Sequence, residues 1–195
     1  TGKTTLVKIL VTLCRAFGSQ CLLAAPTGRA AKRLHEVTGQ PASTLHRLLE
    51  YSFQTGGFGR GEKNPLETDL LIVDEASMID VVLFYHLAKA LPRSGSLVLI
   101  GDVDQLPSVG PGRVLTDVID CGRIGVVRLS RIFRQAQESL IVTNAHRILE
   151  GKSPLLGEQQ GAEEHGDVLH DFYFIEEEDP DRVAERILTL YADRI

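Results

Sequence analysis

Apolar residues in LVKILVTLCRAFG (6–18) recur at helical spacing, and Gly18 stands where such a helix takes its left-handed end. CLLAA (21–25) is a short apolar run that stops at Pro26, the pattern of a buried strand. RAAKRLHEVTG (29–39) returns to helical spacing and stops on Gly39, after which Ser43 or Thr44 caps a short helix to Leu49. Across 51–68, YSFQTGGFGRGEKNPLET, periodicity is lost among four glycines and a proline, which predicts an irregular excursion or a small hairpin.

Regular structure resumes with a strand at DLLIVDE (69–75), a helix over 80–91, a strand at SLVLIGD (96–102), a turn-rich stretch at 105–112 and a helix over 114–119. GVVRLS (125–130) and VLHDFYFIE (168–176) predict two further strands, and 139–151 and 180–194 two further helices, the last with Pro180 in its first turn. A polar, glycine-containing linker occupies 152–167. Strands alternating with long helices imply an α/β fold, a parallel sheet flanked by helices with right-handed crossovers.

Composition narrows this only a little. A chain of 195 residues with 43% hydrophobic and 24% charged positions is ordinary for a globular protein, with room for one domain and the start of another. A net charge of −5 excludes a dedicated basic nucleic-acid module, so any such contact must be local. Cys14, Cys21 and Cys121 are an odd number at wide spacing, which argues against a disulfide framework or zinc site and for a cytoplasmic setting. No apolar run reaches the roughly 18 residues that span a bilayer, so no membrane role is expected.

Three stretches carry candidate chemistry. LLIVDE brings Asp74 and Glu75 to the carboxyl end of a buried strand, where parallel sheets place ligands; the first suits Mg²⁺ and the second a water to be activated. Taken alone, DE is equally an ordinary strand-to-helix turn. TGKTT (1–5) opens a helix with Gly2, Lys3, Thr4 and Thr5, combining free N–H groups and an ammonium for phosphate oxygens with a Thr4 hydroxyl for the metal. GDVDQLPSVGPG (101–112) follows an apolar strand and places the Gln105 amide where it can touch a terminal phosphate and the attacking water.

Together with APTGRAAKRL (25–34), STLHRLL (43–49) and LSRIFRQA (129–136), these stretches resemble the superfamily-one DNA helicases, and among them the RecD-like group that includes the exodeoxyribonuclease V alpha subunit. The resemblance implies a RecA-like P-loop NTPase domain over 1–135, with the excursion at 51–68, and the start of a second RecA-like domain over 136–195. It implies ATP and Mg²⁺ as cofactors, with Lys3, Thr4 and Asp74 as their ligands, Glu75 and Gln105 as catalytic groups and Arg134 approaching the γ-phosphate. It further implies a 5′-to-3′ motor on single-stranded DNA in recombination or repair, touching the strand through Thr27, Arg29, Thr44 and His46, with Arg33 and Arg47 adding charge. Other subunits of an exodeoxyribonuclease V complex are implied as partners.

A solvated helix face explains each lone basic residue equally well. Phe53 and Phe58 lie where related helicases insert a strand-separating element, although pinning of the loop is the simpler role. A relaxase-helicase or Pif1-like core and a non-catalytic P-loop scaffold are the alternative readings. In the family a strand and an earlier glycine precede the phosphate loop and further motifs follow, so the chain reads as part of a longer protein, with weak or absent ATP turnover expected on its own.

Overall fold

The computed structural model describes residues 2–129, 139–156 and 171–192. They fall in two compact units, Thr1–Ser130 and Arg131–Ile195.

The first unit begins with α1 (Lys3–Ala16), β1 (Cys21–Ala25), α2 (Gly28–Thr38), β2 (Ala42–Thr44) and α3 (Leu45–Leu48). A hairpin of β3 (Tyr51–Ser52) and β4 (Gly57–Phe58) precedes β5 (Leu70–Val73), a 3₁₀ turn at Ala76–Met78, α4 (Val81–Ala90), β6 (Ser96–Leu99) and α5 (Val114–Asp120). Gly39 ends α2 in the left-handed region, φ 64, where a side chain would be strained. The three-residue β2 went unseen in the sequence, because Ala42–Thr44 has too little length to show a period.

One sheet of four parallel strands runs in the order β2-β1-β5-β6. Its register sets Ala24 beside Val73, and Val73 beside Leu99. The period of two along β5 divides its side chains between two cores. Leu71 and Val73 join Leu45, Leu49, Leu83 and Leu87 on one face, while Ile72 joins Val7, Val11, Leu34 and Ile100 on the other. Helices cover both faces, which is why these strands read as unbroken apolar runs. This is the α/β class expected from the sequence.

Two expected strands, 125–130 and 168–176, are not seen among their described residues, and 130 and 168–170 lie outside the described residues. Residues 125–129 are irregular, with Val127 and Leu129 exposed, and 171–176 are irregular with Tyr173, Phe174 and Ile175 exposed. A strand exists through its ladder, and no described segment pairs with either stretch.

The second unit contains α6 (Leu140–Leu149) and α7 (Pro180–Ala192). Its described part is organised around the start of α6. The Ser139 hydroxyl oxygen accepts the Val142 N–H at 3.3 Å. Asp171, far along the chain, accepts the N–H groups of Leu140 at 2.8 Å and Ile141 at 3.3 Å and the hydroxyl of Ser139. Asn144, 1% exposed, uses both ends of its amide on the Leu155 backbone, at 2.9 and 2.7 Å.

The hydrogen bond from Ser139, with help from the Ile141 and Leu140 amides, holds the Asp171 carboxyl below its ordinary value. A depressed carboxyl contributes stability above its unfolded value, about 3.9, and loses that contribution as pH falls through the lowered folded one. Protection factors at Leu140 and Ile141, taken relative to the intrinsic exchange rate at each pH, are therefore expected to fall in acid, and at neutral pH in Asp171→Ala; protection unchanged in that variant would contradict the staple.

Candidate active site

All four strands of the sheet run out at one edge, and the candidate residues follow directly. Asp74 and Glu75 leave β5, Asp102 and Gln105 lie beyond β6, Thr27 lies beyond β1 and Thr44 closes β2. Helix α1 brings Lys3 and Thr4 to the β5 and β6 half of this edge. A cavity of about 210 Å³ results, lined by Lys3, Thr4, Arg33, Asp74, Glu75, Asp102 and Gln105 over an apolar floor that includes Val7 and Leu34.

Backbone contacts set this geometry. The Ala76 N–H donates to the Ile100 carbonyl at 2.9 Å, tying the turn after β5 to the end of β6. At Gly101 a Cβ would stand 2.6 Å from Leu115 Cδ2 and 3.0 Å from the Ser77 nitrogen, so only glycine permits the approach. Asp74 Oδ1 accepts the Glu75 N–H at 2.9 Å. Glu75 itself is left-handed, φ 54 and ψ 40, a conformation that costs a non-glycine residue about 1–3 kcal/mol and clusters at functional sites.

Asp102 is the residue that sequence reasoning left without a role. Its carboxylate accepts Lys3 Nζ at 3.4 Å and the Asp104 N–H at 3.2 Å, and its carbonyl accepts the Gln105 N–H at 3.3 Å. It thereby both partners the lysine and starts the Gln105 turn. Its position at the end of the apolar run SLVLIGD, three residues beyond β6, was the available signal.

The donor set suits a phosphate tail. Helix α1 starts at Gly2 with no side-chain cap and no acid in its first turn, so its leading N–H groups remain available to an anion. At 3.4 Å the Lys3–Asp102 pair is longer than a tight ammonium–carboxylate bond of about 2.8 Å, leaving the lysine able to turn to another acceptor. No cluster of three metal-ligating side chains occurs among the described residues. Mg²⁺ binds through one or two carboxylates plus phosphate oxygens, and Asp74 at the cavity is a carboxylate of that kind. The volume lies below the roughly 300 Å³ of a pocket that takes a whole drug-sized ligand.

The other half of the edge holds the residues expected to meet nucleic acid. Thr27 caps α2, its hydroxyl oxygen accepting the Ala30 N–H at 3.3 Å, and Thr44 caps α3 by accepting from Arg47 at 3.2 Å. Both hydroxyls keep a proton to donate. Arg29, His46 and Arg47 are exposed, whereas Arg33 lines the small cavity. Arg134 lies outside the described residues. Burial pushes the Cys21 thiol up to about 12, so it supplies no thiolate.

The two aromatic candidates separate. Phe58 packs against the core, with ring centroids 5.0 Å from Tyr51, 5.9 Å from His46 and 4.4 Å from His86, while Phe53 meets the Tyr51 ring at 5.1 Å and is 93% exposed.

The family model described as AAA domain matches residues 1–111. The chain belongs to the AAA domain family. Within it, the RecD-like resemblance holds along most of the chain. The ATP-dependent RecD2 DNA helicase of Deinococcus radiodurans is 41% identical over 160 residues, 82% of this chain and 22% of that protein. The RecBCD enzyme subunit RecD of Mycolicibacterium smegmatis is 32% identical over 220 aligned positions, 100% of this chain and 38% of that protein. The ATP-dependent DNA helicase dda of Enterobacteria phage T4 is 38% identical over 118 residues, 57% of this chain and 27% of that protein. This AAA domain chain thus spans between 22% and 38% of the length of these relatives.

Phe58→Ala is expected to cost this AAA domain about 2–3 kcal/mol in urea unfolding, short of a fully buried ring. Phe53→Ala should stay within about 0.5 kcal/mol. Equal losses would remove the distinction between anchor and exposed tip.

Proposed function

We propose that this chain is the nucleotide-hydrolysing core of an ATP-dependent DNA helicase that moves 5′ to 3′ along single-stranded DNA in recombination or repair. One observation carries the reading: three separate stretches of chain bring Lys3, Thr4, Asp74, Glu75 and Gln105 around one small cavity. The names of the similar proteins, ATP-dependent DNA helicases and RecBCD subunits, point to the same activity and to other subunits as partners.

In this reading the N–H groups after Gly2, including those of Thr4 and Thr5, and the Lys3 ammonium hold β- and γ-phosphate oxygens. Thr4 and Asp74 hold Mg²⁺, which when bound neutralises charge on the phosphate oxygens. Glu75, kept close to the cavity by its left-handed backbone, takes the proton of the attacking water. Gln105 orients that water against the γ-phosphate, and Arg134 stabilises the charge that develops. Single-stranded DNA runs over the β1 and β2 half of the edge, with Thr27 and Thr44 donating to phosphates and Arg29 and His46 beside them. Residues 1–135 then form the first RecA-like domain and 136–195 open the second. No described helix is long and apolar enough to cross a membrane. A cytoplasmic setting completes the proposal.

Glu75→Gln in the full-length protein is expected to lower DNA-stimulated ATP hydrolysis about 10²- to 10⁴-fold with nucleotide binding retained. Lys3→Ala should weaken nucleotide binding itself. Turnover at the unmodified rate in Glu75→Gln would remove this residue from the mechanism.

A further inference from the structure

Among the described residues, the hydrogen bonds of the Gln105 loop lie at its two ends. No side chain from Val103 to Arg113 is buried, and Val103, Leu106 and Val109 are 41%, 86% and 108% exposed. Asp102 holds the leading end through Lys3 and the Asp104 and Gln105 amides. At the trailing end the Ser108 hydroxyl donates to the carbonyls of Gly110 at 3.0 Å and Gly112 at 3.2 Å, closing a tight turn. That turn meets the start of α4, where the Val81 N–H donates to the Pro111 carbonyl at 2.9 Å.

We propose that Gly110 and Gly112 are positioning residues for Gln105: lacking Cβ atoms, they let the loop seat on Asp80 and Val81 and so keep the Gln105 amide at the cavity. A Cβ at Gly110 would overlap the Asp80 carboxylate and lie 2.8 Å from both Cβ and Cγ of Asp80. At Gly112 it would overlap Val81 Cγ2, and φ 91 there disfavours any side chain. Asp80 cannot swing aside without loss, because its Oδ1 caps α4 by accepting the Leu83 N–H at 2.7 Å. Nor can the helix retreat, with Leu83 and Leu87 buried in the core. The loop, exposed along its length, is the part that yields to added bulk. Its displacement moves Gln105, which is why two glycines remote from the chemistry affect it.

The inference rests on the nucleotide reading of the cavity, so the test reads seating and turnover separately. Gly110→Ala, Asp80→Gly and the double variant are compared in the full-length protein, glycine being a tolerated helix cap. Asp80→Gly removes all three of the nearest atoms that a Cβ at residue 110 would meet. In Gly110→Ala, amide exchange at Val81 is expected to rise while the amides of β5 stay protected. ATP kcat should fall roughly 10- to 100-fold with KM changed less than about twofold. The double variant should recover both readouts. Unchanged exchange at Val81 in Gly110→Ala, or a double variant no better than the single, overturns the proposal. An unmodified protein that fails to hydrolyse ATP overturns the reading of the cavity, and the exchange comparison still decides the seat.

Discussion

The first unit depends on the burial of β5 from both sides. Leu71, Ile72 and Val73 have no exposed surface, and burying each such side chain is worth about 1.5–3 kcal/mol. Because side chains alternate, a slip of one residue would send Ile72 into the core built for Leu71 and Val73. Register along the sheet is therefore strongly held. Since β5 runs parallel to β1 and β6, its carboxyl end coincides with theirs, and the two acids that follow emerge beside Asp102. Hydrophobic packing several residues away thus places the charged groups of the site.

The site then divides its work along one edge. Over β5 and β6 lie carboxylates, a lysine and a helix start without a side-chain cap, so both signs of charge border one cavity. Over β1 and β2 lie capped helix starts with threonine hydroxyls and exposed basic side chains. Helix α4 links the two halves physically. Its first turn supports the Gln105 loop, and further along it His86 stacks on Phe58, whose ring also meets His46.

Much of this was legible in the order of residues. The helices at 6–18, 29–39 and 80–91 and the strands at 21–25, 69–75 and 96–102 all formed, with ends shifted by a few residues, since apolar period and glycine or proline stops are local signals. Lys3, Thr4, Asp74 and Glu75 were recognisable as candidates because each stands at a strand end or helix start, and Gln105 because its amide follows an apolar strand in a turn, with the chemistry a phosphate site needs. Within the strands expected at 125–130 and 168–176, the described residues 125–129 and 171–176 are irregular, because apolar content marks a segment that could pair and says nothing of a partner.

The sequence by itself determined the element types, the parallel α/β class and the identity of most candidate groups, because these follow from side-chain period, turn chemistry and residue type. Tertiary structure decided which groups meet. It paired Lys3 with Asp102 across 99 positions, turned Arg33 toward the small cavity, made Phe58 an anchor while leaving Phe53 exposed, and used bare glycine backbone at Gly101 and Gly110 for close approach. Each outcome depends on distances between segments far apart in the chain, which no local pattern encodes.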